Sequence, residues 1–331
     1  VFKRVISLAA VAALGLVVAG CNSSVLDIDT RGTQPIPAKL VGEMSKKSMT
    51  ASSPVLVRIF KKESELEIWK RDKSGRFALL KAYPICRWSG QLGPKKKIGD
   101  RHTPEGFYQI NAGMLNPKSQ YYVSFNLGFP NRLERAHGYT GEALMVHGAC
   151  SSSGCYAMTD EGISEIYAVV RDALKGGQQS FQVQAYPFRM TSQNMAAYRN
   201  DPNYAFWSDL KRGYDIFETT RLEPKVSYCE GRYMFNRPEF DGATPADPMA
   251  ACAPTDSPAV AMSFPAAKPD AGDTTASIPP VRANAYVDGG MHPSFRSMLK
   301  RGGEKALARR TSLRSVPISR PDAALADPYV E

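Results

Sequence analysis

His147 and Cys155 are the residues of this sequence best placed for covalent chemistry. His147 closes the apolar run Leu144-Met145-Val146, and Cys155 follows eight residues later across a loop of Gly, Ala, Cys and Ser. A cysteine attacks a carbonyl only as its thiolate, so it needs a base or a positive field beside it. His147 can act as that base, and once protonated it can hand the proton to a leaving amine. Small residues let the chain turn tightly, and the backbone N–H groups around Gly154 and Tyr156 are placed to hold an oxyanion. Asp160 opens a helical pattern whose N-terminal dipole would favour the thiolate. The pattern points to acyl transfer through a thioester, chemistry that needs no metal and no cofactor. His147, Cys150 and Cys155 are also three types that zinc accepts. No fourth ligand lies nearby, and the spacing matches no common zinc site.

Longer blocks give the pair its context. The stretch His147-Gly148-Ala149-Cys150-Ser151-Ser152-Ser153-Gly154-Cys155 resembles the active-site motif of the YkuD-type L,D-transpeptidases, in which His-Gly precedes Ser/Thr-x-Gly-Cys. Its compact form, continued by Tyr156-Ala157-Met158, is similar to the YafK-like subgroup of that family. So is Trp88-Ser89-Gly90-Gln91-Leu92-Gly93-Pro94-Lys95, followed by Gly99-Asp100-Arg101-His102-Thr103-Pro104-Glu105-Gly106-Phe107-Tyr108. Ala157 stands where most of the family carries arginine. The resemblance covers about residues 54–240.

It implies a mainly β fold with helices (α+β), built as a YkuD-like β-sandwich or barrel. It implies peptidoglycan stem peptides as substrate, attacked at the L-centre carbonyl of the diamino acid at position three. Cys155 is then the nucleophile and His147 the general base and acid. A transpeptidase passes the acyl group to an amine; an amidase passes it to water, releasing a stem peptide or a wall-attached lipoprotein. Ser153 lies within the motif as a substrate contact, and the cations Arg101, Arg132 and Arg135, with Lys95, Lys96 and Lys97, suit stem-peptide carboxylates. The loop from Asp100 to Gly106 either shapes the groove or is a turn fixed by Pro104 and Gly106. Two non-catalytic readings compete: a wall-binding lipoprotein in which Cys155 and His147 are dispensable, and an adhesion lipoprotein whose basic tail is the active part.

Certain elements must position the pair. Val55, Val57 and Ile59 alternate in a strand over 54–60, and further strands are expected at 66–69 and 77–83, joined by the Lys73-Ser74-Gly75-Arg76 turn. Short strands follow at 107–110, 121–126, 144–147 and 181–185, with a polar loop at 130–141. Asp160 is expected to cap a helix to about Leu174, stopped by Gly176-Gly177. A second helix over 202–219 carries Phe206, Leu210, Tyr214 and Phe217 at helical spacing, as core rather than a ligand cage.

The ends differ from this domain. Residues 1–21 read as a lipoprotein signal: Lys3 and Arg4, an apolar run, then Val18-Ala19-Gly20-Cys21 with Cys21 lipidated. Residues 22–53 read as a linker, and Asn22 favours the outer membrane, so the expected location is periplasmic, lipid-anchored to its inner leaflet. Half of the 24 prolines fall in the last 87 residues, so 241–331 reads as a disordered tail. Arg296, Lys300, Arg301, Lys305, Arg309, Arg310 and Arg314 make part of it basic, as a solvated tail or as a wall- or membrane-surface contact. The net charge of +10 suits an anionic partner, and no nucleic-acid-binding motif accompanies it. With Cys155 free, Cys86, Cys150, Cys229 and Cys252 can pair in three ways in an oxidising compartment.

Overall fold

A computed structural model describes residues 29–236, 247–252 and 289–310. Residues 1–21 with Cys21, and the tail segments 253–288 and 311–331, lie outside the described residues.

The largest element is a five-stranded sheet in the order β3-β2-β1-β9-β4. Strands β1 (Val55–Phe60), β2 (Glu65–Arg71) and β3 (Phe77–Pro84) form an antiparallel meander. Strand β9 (Ser180–Tyr186) runs parallel to β1 and antiparallel to β4 (Gly106–Asn111). A second sheet, β5-β6-β7-β8, carries His147: β5 is Leu115–Asn116, β6 Ser124–Asn126, β7 Met145–His147 and β8 Tyr156–Ala157. A hairpin of β10 (Val226–Cys229) and β11 (Arg232–Phe235) forms the third.

Period-2 alternation in β1 serves two cores rather than one core and solvent. Val55, Val57 and Ile59 pack toward helix α3 (Asp160–Lys175), which buries Ile163, Ile166, Val169, Val170 and Ala173 against them. Val146, Phe125 and Tyr156 of the small sheet belong to the same core. On the opposite face, Phe60, Phe107 and Tyr186 meet Trp207, Leu210 and Tyr214 of helix α5 (Tyr204–Thr220). The aromatics of α5 are core, as expected, and also surround a buried cation: the Arg58 guanidinium lies 4.7 Å from the ring centroids of Tyr214 and Phe217. Glu218 accepts from it at 2.6 Å. The fold is therefore mixed α+β. Among the described residues no sheet closes into a barrel, and the expected sandwich is not seen either, because α5 fills the face that a second large sheet would need.

Two stretches read as linker and tail are ordered into the core. Helix α1 (Ala38–Lys46) buries Leu40 and Met44, flanked by Ile36 and Met49, so much of 22–53 belongs to the folded domain. The polar loop at 130–141 contains helix α2 (Arg132–Ala136), begun by a capping box between Asn131 and Glu134. A short helix α4 (Ser192–Ala197) precedes α5. Far along the chain, a helical stretch α6 (Pro293–Ala308), broken at Gly303, packs Phe295 and Leu307, with Met291 just before it, against Cys86 and Cys150. Those two cysteines form one disulfide, and Cys229 and Cys252 form the other.

Candidate active site

Parallel pairing of β7 with β8 sets the register between the histidine and the cysteine. Val146 lies opposite Tyr156 and His147 opposite Ala157, so Cys155, just before β8, falls beside Met145. The Met145 N–H donates to Cys155 Sγ at 3.4 Å, and the thiol points to the Ala143 carbonyl at 3.9 Å. Side chains two apart on a strand share a face. Met145 and His147 therefore present the same face of β7, with Cys155 at its edge.

His147 is buried, and its ring packs on Tyr121 with 4.7 Å between centroids. Its Nδ1 lies 2.6 Å from the Gly148 carbonyl. A carbonyl only accepts, so Nδ1 carries the proton and Nε2 is the basic nitrogen. Burial pushes the imidazole down to about 4, against the opposing pull of the Gly148 carbonyl and the Asp160 carboxylate. The ring is thus neutral near neutral pH. Cys155 is the free cysteine among those described. Burial pushes its thiol up, opposed by the Met145 N–H and the Lys95 ammonium. The sequence suggested a thiolate favoured by the start of α3, but desolvation outweighs any such field. Both groups of the candidate pair therefore rest neutral.

The connecting loop is held from several sides. Asp160 is not the cap of α3: Thr159 is, its Oγ1 accepting from the Gly162 N–H. Asp160 is the first helical residue and turns back to accept from the Ala149 N–H at 2.8 Å. Gly148 is required there, since a Cβ would sit 2.7 Å from Asp160 Oδ1 and 2.9 Å from the Tyr121 carbonyl. Gly154 donates its N–H to Ser89 Oγ at 2.5 Å, and Ser89 Oγ lies 2.9 Å from Ser152 Oγ. The Cys155 N–H reaches Ser152 Oγ at 3.2 Å. Tyr156 pairs along β7 and buries its ring, donating its hydroxyl to the Pro104 carbonyl at 2.7 Å. Of the two expected oxyanion donors, Gly154 directs its N–H to Ser89 Oγ and Tyr156 belongs to β8. The zinc reading fails, because Cys150 is in a disulfide with Cys86.

The loop from Asp100 to Gly106 meets the motif where the Pro104 carbonyl accepts from Tyr156, and it rests on a buried ion pair. Lys61 Nζ lies 2.9 Å from Glu105 Oε1, both side chains being wholly buried. The same ammonium donates to the carbonyls of Gln91, Gly93 and Thr103. Glu105 accepts from the Gly93 N–H at 2.7 Å and from Trp207 Nε1 at 2.8 Å. Asp100 gathers the Lys96, Lys97 and His102 N–H groups and the Lys95 ammonium, which fixes the cation that acts on Cys155.

The other sequence candidates are distributed unevenly. Ser153 is exposed beside Gly154. Arg101 sits at φ +57° between Asp100 and His102. Arg132 and Arg135 belong to α2, and Arg135 donates to the Pro130 carbonyl. Leu133 and Glu134 of α2 line a cavity of about 270 Å³ with Pro94, His137, Tyr139 and Phe206, and that lining includes neither Cys155 nor His147. Sequence reasoning missed Ser89, Asp160 as a loop anchor, and Tyr121. Ser89 had a signal, since it lies inside the Trp88-to-Lys95 block.

This geometry sits inside a recognisable domain. The profile of the YkuD L,D-transpeptidase catalytic domain matches residues 54–176, which include β1, the Lys61–Glu105 frame, His147 and Cys155. The L,D-transpeptidase-family protein YafK of Escherichia coli K12 is 48% identical over 192 residues, covering 58% of this chain and 78% of YafK. The chain belongs to the YkuD L,D-transpeptidase family. Its relative in E. coli O157:H7 matches to the same extent. Among solved structures, the helical cell shape determining protein Pgp2 of Campylobacter jejuni is 18% identical with a TM-score of 0.34, over 54% of this chain and 64% of that one. Bd1075 of Bdellovibrio bacteriovorus is 15% identical with a TM-score of 0.29, over 54% of this chain and 75% of that one. The match to Pgp2 spans just under two thirds of that chain's length.

Proposed function

We propose that this family member acts on peptidoglycan stem peptides through a thioacyl enzyme on Cys155. One observation carries the reading: Cys155 is the free cysteine among those described, and it is seated at the edge of the strand that ends in His147. Because both groups rest neutral, proton transfer accompanies attack. Nε2 of His147 takes the thiol proton as sulfur bonds to the peptide carbonyl carbon, and the imidazolium then protonates the departing amine. The remaining thioester is resolved by an acceptor amine, giving a cross-link, or by water, freeing the stem peptide as its carboxylate; a wall-attached lipoprotein would be the amine that departs in the first step. Ser153, Arg101, Arg132 and Arg135 are the proposed substrate contacts.

The proposal extends to the ends of the chain. Residues 1–21 are a lipoprotein signal, Cys21 carries the lipid, and the domain works in the periplasm, anchored to the inner leaflet of the outer membrane. Among the described residues no helix is long and apolar enough to cross a membrane. The test is incubation with purified muropeptides followed by mass spectrometry. Loss of D-Ala with new cross-links identifies transpeptidation, and addition of water without cross-links identifies the amidase. Unchanged muropeptides would overturn the catalytic reading in favour of a wall-binding lipoprotein.

A further inference from the structure

We propose that residues 289–310 form a clamp that positions the loop between His147 and Cys155, making this distal segment part of the catalytic unit. The idea rests on the proposed role of that pair, and its test separates the two.

Stretch 85–90 is a rib with two partners. On one side Arg87 exchanges both backbone hydrogen bonds with Ala157 of β8, at 2.9 and 2.8 Å. On the other, Trp88 exchanges both with Gly290 at 3.0 Å, and the Gly289 N–H donates to the Gly90 carbonyl. The His292 N–H reaches the Ile85 carbonyl at 3.1 Å. Ser89, between these contacts, holds the Gly154 N–H. The C-terminal segment thus pairs with the same rib that supports the cysteine loop.

One further contact reaches the loop itself, and another reaches the residue that anchors it. Met291, Phe295 and Leu307 bury the Cys86–Cys150 disulfide, and Cys150 lies within the loop. At the segment's far end the Arg310 carbonyl accepts from the Asp160 N–H at 3.2 Å, while Asp160 Oδ1 holds Ala149. Ala149 and Cys150 both adopt positive φ, +64° and +52°, which is unfavourable for residues with a Cβ. Such a conformation persists only where its surroundings impose it, and the segment packs on Cys150 and bonds Asp160, which holds Ala149. The sequence expectation of a disordered, partly basic tail misses this because the three apolar anchors are spread over a Gly- and Arg-rich stretch.

The test uses full-length protein carrying Gly289→Ala or Phe295→Ala, with Phe295→Leu as the conservative rescue. A Cβ at Gly289 would sit 1.8 Å from the Trp88 carbonyl oxygen, so that variant blocks docking directly. Limited proteolysis within 289–310 reports release. Three rates are then followed: reduction of Cys86–Cys150 by dithiothreitol, alkylation of Cys155 by iodoacetamide, and muropeptide turnover. Release should speed disulfide reduction by about tenfold or more through access. It should speed alkylation of the less buried thiol, and lower kcat on the order of 10–100-fold with little change in KM, since positioning and not binding is lost. Phe295→Leu should restore all three. A released segment with alkylation and kcat at wild-type values would overturn the proposal, as would changes seen only together with loss of the cooperative melting transition. If wild-type protein shows no turnover, the functional reading fails, while the alkylation and reduction rates still decide the clamp.

Discussion

Replacing Lys61 with methionine tests the frame beneath the Asp100-to-Gly106 loop. The substitution keeps an unbranched side chain one atom shorter and removes its charge. It leaves Glu105 wholly buried with only the Gly93 N–H and the Trp207 indole N–H as donors. It also strips a donor from three carbonyls, those of Gln91, Gly93 and Thr103. Removing one partner of a buried pair costs about 3–5 kcal/mol, because the other charge stays uncompensated. For a domain of this size each kcal/mol moves Tm by about 2–4 °C, so the expected fall is on the order of 10 °C. Removing both charges avoids the stranded carboxylate. Lys61→Met/Glu105→Gln should therefore be less destabilised than the two single changes added together, with a coupling of about 2 kcal/mol. Urea unfolding followed by tryptophan fluorescence measures all four proteins. A Lys61→Met protein within about 1 kcal/mol of wild type, or a double variant equal to the sum of the singles, would refute the frame.

Further expectations follow from the site and its surroundings. Burial pushes the Glu134 carboxyl up to about 7 from its ordinary 4.5. The folded state then holds this proton more tightly than the unfolded chain, so its contribution is fully present below about pH 4.5 and is lost as pH rises through about 7. The stability change over that window is about 3 kcal/mol, and Glu134→Gln should flatten it when unfolding is measured at about pH 5 and about pH 8. Ser89→Ala removes the acceptor of the Gly154 N–H and the partner of Ser152. It should cost about 1–3 kcal/mol and slow acylation of Cys155, read by stopped-time mass spectrometry; unchanged acylation would assign Ser89 to packing alone.

The sequence was most informative where one residue type decides the outcome. Alternation at Val55, Val57 and Ile59 marked β1, the Ser74-Gly75 turn separated β2 from β3, and helical spacing marked α3 and α5. His147 and Cys155 were legible because motif and residue chemistry agree. The misses have physical causes. β8 is two residues long and is defined by its neighbours rather than by propensity. Helix α2 did carry a readable signal, since Asn131 and Glu134 stand at capping-box spacing. The β10–β11 hairpin also had one, a two-residue Glu230-Gly231 link between two alternating runs. Met291, Phe295 and Leu307 had no legible destination, because they pack on a disulfide more than a hundred residues away in sequence. The rise of the Cys155 thiol was likewise hidden, since desolvation depends on the assembled fold.

The central claim is that Cys155 is the nucleophile and His147 its base. Its most direct measurement is peptide mapping by mass spectrometry after brief incubation with a stem-peptide donor. The account predicts an acyl adduct on the peptide containing Cys155, absent in Cys155→Ser and much slower to form in His147→Ala. An adduct on another residue, or muropeptide turnover that survives Cys155→Ala, would contradict it.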